Sequence, residues 1–250
     1  MRIRHLILVI PLFMTNILGA EDDSDESKAV AKIEALGGKI TRADESTDSA
    51  VQEIDLQGCA KANDRALHIL STFKSLESLN LRGTKITDSI LKDLSDLENL
   101  ETLNLDGTRV TAKGLKAIQN CKNLISLNLN QTMIKDAGLQ EVKGFTDLTA
   151  LYLSFNPITD DGLKELCELE NLTVLSLRGT KITDAGLKQL RNLTNLKSLD
   201  LSATQISDTG LNELSELTNL MVLDLKFVSD VTNGGIKQLK TALPKLVVRR

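Results

Sequence analysis

The sequence repeats itself every 24 residues, and this period restricts the possible folds more than any other feature of the chain. From residue 76 onward the same leucine opens each unit, at Leu76, Leu100, Leu124, Leu148, Leu172, Leu196 and Leu220. The unit that starts at residue 172 reads LTVLSLRGTKITDAGLKQLRNLTN, and the unit that starts at residue 76 reads LESLNLRGTKITDSILKDLSDLEN. A fixed period of roughly 20 to 50 residues indicates a solenoid, in which each repeat packs only against its neighbours.

Within one repeat, the apolar residues divide into a strand and a short helix. If the opening leucine is position 1, apolar residues occupy positions 1, 4, 6, 11, 16, 19 and 22. The L-x-x-L-x-L phrase alternates as a strand does, and the last three positions are spaced by three, as on one helix face. Between them, Thr183 and Asp184 stand where a helix N-cap is needed, because their oxygens can accept free N–H groups of the first turn.

One repeat cannot fold by itself, because the apolar surface that it buries does not offset the entropy lost on ordering its backbone. Stacking buries both sides of every layer and aligns the strands in parallel. Because the helices are bulkier than the strands, the stack curves. The sequence therefore predicts an α/β fold, a right-handed, horseshoe-shaped solenoid with a parallel sheet on its concave face and short helices outside.

These phrases resemble the leucine-rich repeat family, and within it the short, helix-bearing class similar to ribonuclease inhibitor and to bacterial exported proteins with 24-residue repeats. The resemblance covers residues 51–250, which we predict to be the leucine-rich repeat domain. Residues 51–75 form a divergent first repeat, and the repeat from Leu220 carries two extra residues before a terminal strand over residues 246–248. Terminal repeats are expected to differ because one side of each faces water. The resemblance implies a protein or peptide partner.

Residues 1–20 have the layout of a secretory signal peptide. Arg2 and Arg4 precede an apolar stretch from Leu6 to Leu18, which ends at the small residues Gly19 and Ala20. As a helix this stretch is shorter than a bilayer core, although an uncleaved anchor is the alternative. The sequence predicts an exported protein, periplasmic, on the cell surface or secreted, with no membrane insertion after the leader is removed.

Residues 21–50 are predicted to be an acidic start followed by an N-terminal cap on the first repeat. The segment from Ser27 to Leu36 has helical spacing and ends at Gly37 and Gly38, which stop helices. A strand over residues 39–42 can follow this helix. Such a cap would cover the first layer of the solenoid.

The sequence contains few residues of the types that could form a catalytic site. His68 is the only histidine outside the leader, and the cysteines Cys59, Cys121 and Cys167 are too scattered for a disulfide framework. A formal net charge of −4 makes nucleic acid a poor partner. We therefore predict no catalytic residue, no cofactor and no metal site.

One column of carboxylates could still bind calcium. Asp136, Asp160, Asp184 and Asp208 all occupy position 13, so neighbouring strands would bring them close together. Each aspartate also stands at an N-cap or in the first turn of a helix, where it is useful without a metal. We predict that capping explains the column, with an exported calcium-dependent or enzymatic protein as an alternative.

The strand positions that alternate with the core should face the concave side. At position 5 the residues are Asn80, Asn104, Asn128, Tyr152, Ser176, Asp200 and Asp224, and at position 7 they are Arg82, Asp106, Asn130, Ser154, Arg178, Ser202 and Lys226. Basic and acidic residues balance in these two columns. Tyr152 breaks a column of small polar residues, and Phe155 breaks position 8, which is usually glycine or alanine.

These observations predict a non-catalytic module that binds a protein or peptide on its concave face. The candidate partner-binding residues are Asn104, Asn128, Tyr152, Phe155, Arg178, Asp200 and Asp224. Aromatic rings and arginine dominate interface energetics, so the strongest prediction within this set centres on Tyr152. A structural component of an envelope or surface assembly is the other non-enzymatic possibility. The sequence leaves the oligomeric state open.

Overall fold

The computed structural model describes residues 25–44, 46 and 49–250. The predicted signal peptide and the acidic residues that directly follow it lie outside the described residues. The strands are β1 Lys39–Arg42, β2 Val51–Asp55, β3 Ser78–Asn80, β4 Thr102–Asn104, β5 Ser126–Asn128, β6 Ala150–Tyr152, β7 Val174–Ser176, β8 Ser198–Asp200, β9 Val222–Asp224 and β10 Val247–Arg249.

The helices alternate with these strands and are mostly only one or two turns long. They are α1 Asp25–Ala35, α2 Asp64–Leu67, α3 Asp88–Asp93, α4 Ala112–Ala117, α5 Asp136–Val142, α6 Asp160–Leu163, α7 Asp184–Leu187, α8 Asp208–Asn212 and α9 Asn233–Ala242. Three of them continue as 3₁₀ turns, at His68–Thr72, Lys164–Leu166 and Lys188–Leu190. No helix within the described ranges is long and apolar enough to cross a membrane.

All ten strands form one sheet in sequence order. β1 is antiparallel to β2, and every later neighbour is parallel. Equivalent positions pair throughout, as Leu151 with Leu175 and Leu175 with Leu199. Each regular repeat strand has three residues, fewer than the six of the L-x-x-L-x-L phrase, but the hydrogen bonds between repeats continue into the turn. The Gly107 N–H, for example, donates to the Asn130 carbonyl at 2.9 Å.

The leucine columns form one continuous core, as the period predicted. The opening leucines from Leu76 to Leu220 are at most 2% exposed, and the divergent first repeat contributes Val51 and Ile54. Cys121 takes the place of a core leucine at position 22 and is fully buried. Burial, with a smaller contribution from nearby acidic residues, raises the pKa of this thiol to about 11. Cys121 is therefore an unreactive part of the core.

A helix and a strand cover the first repeat. α1 buries Ala29 and Ile33 against the first repeat, and β1 covers the outer edge of β2. The chain passes closely between them at Gly38, where a Cβ would lie 2.7 Å from Ile33 Cγ2 and 2.8 Å from Leu56 Cδ2. Only glycine fits at this position.

Aspartates at position 13 join each repeat to the next one. Asp184 accepts hydrogen bonds from the Ser207 backbone N–H at 2.7 Å and from the Ser207 hydroxyl at 2.6 Å. The same pair of bonds links Asp64 to Thr87, Asp88 to Thr111, Asp136 to Thr159, Asp160 to Thr183, and Asp208 to Thr232. We call these contacts the aspartate ladder.

The ladder corrects the role predicted for these carboxylates. The cap of α7 is the Thr183 hydroxyl, which accepts the Ala185 N–H at 3.3 Å, whereas the Asp184 carboxylate binds the following repeat. The aspartates thus hold neighbouring caps together in addition to lying in the first turn of their own helices. Sequence spacing alone could not distinguish capping of the same helix from bonding to the next repeat, because Thr183 and Asp184 are adjacent in the chain.

Glycine at position 15 makes room for the ladder. A Cβ at Gly186 would lie 2.2 Å from Asp160 Oδ1, and one at Gly210 would lie 2.3 Å from Asp184 Oδ1. The ladder is interrupted once among the described repeats, where Ala112 replaces the aspartate. The residue that would donate to that aspartate is Lys135, which makes no side-chain cap for α5. Both partners are therefore missing at the same junction.

The side chains at position 9 satisfy main-chain groups in the buried turn. The Thr180 hydroxyl, for example, donates to the Leu177 carbonyl at 2.6 Å. Asn156 replaces threonine in its own repeat and reaches further, since its amide donates to the Leu129 carbonyl of the preceding repeat at 2.7 Å. These bonds pair main-chain groups that have no access to water.

Candidate functional site

A groove of about 560 Å³ lies on the concave face, and its lining extends from Arg82 and Asp106, which follow β3 and β4, to Arg249 in β10. Six of the seven predicted partner-binding residues line it, namely Asn128, Tyr152, Phe155, Arg178, Asp200 and Asp224. Asn104, at the end of β4, is outside the lining. The structure therefore brings most of the predicted set to one surface and separates Asn104 from it.

The asparagines and aspartates at position 5 also have a local structural role. Asn104 Oδ1 accepts the Asp106 N–H at 3.0 Å, and Asn128 Oδ1 accepts the Asn130 N–H at 3.0 Å. Asp200 accepts the N–H two residues later in the same way, at 2.9 Å. Small polar residues recur in this column because they close the end of each strand. Their recurrence is thus explained without a ligand.

Tyr152 departs from this arrangement. It cannot close the strand as an asparagine does, and the Ser154 N–H instead donates to Asn130 Oδ1 of the preceding repeat at 2.6 Å. The ring is half-buried between Asn128 and Ser176 in the sheet register. Within the described part of the chain its hydroxyl has no hydrogen-bond partner, so it can bind a group from outside.

Asp200 and Asp224, two of the three carboxylates in the groove lining, accept bonds within the chain. Asp200 Oδ2 accepts the Ser176 hydroxyl at 3.4 Å, and Asp224 Oδ1 accepts the Ser202 hydroxyl at 2.8 Å. Lys226 Nζ lies 3.4 Å from Asp224 Oδ2. Burial opposes ionisation of Asp224, but the bonds from Ser202 and Lys226 outweigh it and lower the pKa of this carboxyl. Asp224 is ionised at neutral pH.

The turn at position 8 is left-handed in every repeat, although only some repeats have glycine there. Gly83, Gly107 and Gly179 have positive φ, and so do Gln131 at 52°, Phe155 at 58°, Ala203 at 54° and Phe227 at 61°. A residue other than glycine in this region costs roughly 1 to 2 kcal/mol. The rings of Phe155 and Phe227 are nevertheless exposed, by 51% and 79%. Neither phenylalanine is explained by packing in the core.

Arg178 lies between these two rings. Its guanidinium carbon is 5.4 Å from the centre of the Phe155 ring and 5.8 Å from the centre of the Phe227 ring, which is within cation–π range. The Phe155 ring rests on Gly179, where a Cβ would be only 2.6 Å from the ring. We call Phe155, Arg178 and Phe227 the aromatic ridge. The Arg178 Nε–H is buried and has no hydrogen-bond partner within the described residues.

Phe227 was missing from the predicted set. It occupies position 8 of the repeat that starts at Leu220, so the same column that singled out Phe155 could have identified it. Two whole repeats lie between those of the two phenylalanines, so their proximity is hidden in the sequence. The two rings are connected through Arg178, whose guanidinium lies close to both of them.

The structure contains no arrangement that supports a metal site in the part of the chain that it describes. No group of three or more histidine, cysteine, aspartate or glutamate residues is placed to hold an ion there. His68 is exposed on its helical turn, with Nδ1 2.8 Å from the Arg65 carbonyl. In the last complete step of the ladder, bonds from the Thr232 hydroxyl and N–H lower the pKa of Asp208. The ladder carboxylates are used as hydrogen-bond acceptors.

Calcium is expected to leave the melting temperature unchanged, because both oxygens of each ladder carboxylate already accept bonds from the next repeat. An ion that bound only the folded protein would raise its stability in proportion to the logarithm of concentration. The measurement is thermal unfolding in millimolar calcium and in chelator. A melting temperature that rises steeply with calcium and returns with chelator would contradict the structural role of the ladder.

Comparison with known protein families identifies the repeats. Three leucine-rich repeat models match residues 74–95, 98–158 and 170–216. The chain belongs to the leucine-rich repeat family. A search of curated proteins by sequence found no match to this leucine-rich repeat protein.

Solved structures share the solenoid. Internalin C2 from Listeria monocytogenes is 27% identical, with a TM-score of 0.65, and the match covers 88% of this chain and 90% of that one. A leucine-rich repeat protein from Leptospira interrogans is 24% identical, with a TM-score of 0.50 over 73% of this chain and 56% of that one. The plant peptide hormone receptor RGFR1 in complex with RGF2 is 20% identical, with a TM-score of 0.51 over 84% of this chain and 36% of that one. The last two establish similarity of fold alone.

Proposed function

We propose that this leucine-rich repeat protein is an exported, non-catalytic module that binds a protein or peptide on its concave face. The observation that carries the proposal is the aromatic ridge, where two exposed phenylalanines flank an arginine beside a groove. Export rests on the leader over residues 1–20, and the absence of catalysis on the lack of suitable chemistry in the sequence.

Folding stability does not account for the ridge. Glycine fills the same turn in other repeats, at Gly83, Gly107 and Gly179, and adopts the left-handed backbone at lower cost. Phe155 and Phe227 accept an unfavourable backbone conformation and leave much of each ring in water. A bound partner would bury these rings and offset the cost, since large aromatic residues and arginine supply most of the binding energy at protein interfaces.

The groove also has the form expected for an extended partner. Solenoids present long concave surfaces built from equivalent positions of successive repeats, and they commonly bind other proteins there. Here the surface combines the Tyr152 ring, the ridge and the polar groups of Asp200 and Asp224 within one depression. Such a mixture of rings and directed polar groups is typical of a specific recognition surface.

Tyr152→Ala is expected to weaken binding of the partner by about 1 to 3 kcal/mol, because the ring forms part of the binding surface. The stability of the protein should remain nearly unchanged, because the Tyr152 side chain is only half-buried. The partner is first captured from an envelope extract with the wild-type protein, and its affinity for each variant is then measured by surface plasmon resonance.

The matched control for this experiment is Lys188→Ala on the outer helical turn Lys188–Leu190. It should bind the captured partner as the wild type does. Unaltered affinity in Tyr152→Ala, together with a loss in Lys188→Ala, would move the binding site to the helical side and refute the proposal.

A further inference from the structure

We propose that the aromatic ridge is a carboxylate-binding site, in which the Arg178 guanidinium receives an aspartate or glutamate side chain from an extended segment of the partner protein. This inference rests on the proposed function and specifies the chemistry of its ligand. It follows from three observations. Arg178 makes no ion pair, its guanidinium lies between two rings, and the charges of the groove lining favour a ligand with a single negative charge.

The charge of Arg178 has no partner within the described chain. The other two cations of position 7 are paired, since Arg82 Nε lies 3.1 Å from Asp106 and Lys226 Nζ lies 3.4 Å from Asp224. Arg178 makes no ion pair, although Asp200 lines the same groove. A half-buried arginine whose Nε–H is shielded from water and unbonded lacks the acceptor that such a group ordinarily has.

The acidic residues of the groove cannot easily supply that acceptor, because they are already bonded elsewhere. Asp200 accepts the Ser202 N–H at 2.9 Å and the Ser176 hydroxyl at 3.4 Å. Asp224 is held by the Ser202 hydroxyl at 2.8 Å and by Lys226. The folded chain thus satisfies its carboxylates and leaves the guanidinium open. The guanidinium therefore has N–H groups available to an acceptor from a bound molecule.

The two rings hold the guanidinium in a position suited to a carboxylate. Phe155 and Phe227 lie within 5.4 and 5.8 Å of its central carbon. A guanidinium held against aromatic rings keeps its in-plane N–H groups available, and those groups match the two oxygens of a carboxylate. Because the rings already restrict the side chain, binding costs less conformational entropy than it would for a free arginine. The exposed ring surfaces can contact apolar residues on either side of the acid.

The surrounding charge favours one carboxylate over a polyanion. The lining holds Arg82, Arg178 and Arg249 against Asp106, Asp200 and Asp224, so its charges balance and it lacks the basic excess that a nucleic acid or a row of phosphates requires. A single aspartate or glutamate within an otherwise uncharged segment brings one negative charge to the Arg178 guanidinium. Among macromolecules, an extended protein segment with one acidic side chain fits this distribution.

The test uses a display library of random dodecapeptides, selected separately on wild type, Arg178→Gln and Arg82→Gln. The peptides are fused to the coat protein at their carboxyl ends, so any selected acid is a side chain and not a free terminus. Peptides selected on the wild type are expected to share an aspartate or glutamate. A synthetic peptide from this pool should bind at least about 10-fold more tightly than its amide counterpart, in which that acid is glutamine or asparagine.

The two variants separate the role of Arg178 from that of positive charge in general. Arg178→Gln should reduce the preference for acid over amide to about 2-fold or less while the protein still folds, as measured by circular dichroism. Arg82→Gln should keep the preference, because the Arg82 charge is already paired with Asp106. Loss of the preference in Arg82→Gln with retention in Arg178→Gln would overturn the assignment.

The remaining outcomes distinguish this inference from the proposed function. Peptides that bind the wild type, lose affinity in Tyr152→Ala and show no preference for acid over amide would overturn the carboxylate site and leave concave-face binding intact. Peptides whose affinity is unchanged in Tyr152→Ala and in Phe227→Ala, or a failure to select any peptide, would count against concave-face peptide binding and the carboxylate site together.

Discussion

Leu175→Asp is expected to destabilise the whole solenoid and not only one repeat. Leu175 is 1% exposed and pairs in register with Leu151 on one side and Leu199 on the other. An unpaired charge at this position costs several kcal/mol, and each layer depends on its neighbours for burial of its core. For a chain of this size we expect the melting temperature to fall by about 10 °C or more. Thermal unfolding followed by circular dichroism measures the effect.

Met221→Asp is the matched control, because it introduces the same charge beside a strand where the side chain is 53% exposed. Its melting temperature should remain close to that of the wild type, as is usual for surface substitutions. If Leu175→Asp kept a wild-type melting curve, the assignment of position 4 to the core would be wrong.

Asp184→Ala is expected to destabilise the protein by about 1 to 3 kcal/mol, the second largest effect that we predict. The substitution removes the acceptor of the Ser207 N–H and of the Ser207 hydroxyl, two bonds that join adjacent repeats. Both residues are half-buried, so water replaces these bonds only in part. Chemical denaturation measures the loss. An unchanged free energy of unfolding would show that the ladder contributes nothing to repeat stacking.

The natural gap in the ladder provides the reciprocal experiment. Ala112→Asp combined with Lys135→Thr would rebuild the missing step, and Gly138 already leaves the space that ladder glycines leave elsewhere. The double variant should be stabilised by about 1 kcal/mol, and by more than the two single variants together, because donor and acceptor are useful only as a pair. Strict additivity of the two substitutions would contradict a direct bond between them.

The architecture could be predicted from the sequence because local patterns that recur in every repeat specify it. The alternation at positions 1, 4 and 6 and the helical spacing at positions 16, 19 and 22 identify strand and helix within one repeat, and the 24-residue period sets the register between repeats. The same logic identified the N-terminal helix and strand that cap the first layer. The turn role of Thr180 and its equivalents was predictable for the same reason, since its partner, Leu177, is three residues away.

Only the tertiary structure decided what the polar side chains contact. Asp184 was expected to serve its own helix, but its partner is Ser207 in the next repeat, because stacking brings successive caps within hydrogen-bond range. Along one chain, a carboxylate that follows a cap residue is compatible with either role. The direction in which the side chain points depends on the packing of two layers.

In the candidate site, too, the sequence predicted some features and only the tertiary structure decided others. Strand alternation in the sequence predicted that Tyr152 and Arg178 face the concave side, and Phe155 stood out because it breaks a column that is usually glycine or alanine. The sequence did not determine that Phe227, three repeats after Phe155, shares a guanidinium with it. That contact requires left-handed turns in both repeats and a stack that places them near each other. The physical reason is that periodicity specifies a residue's face and depth, whereas its charge partner depends on distances that exist only after the repeats have packed.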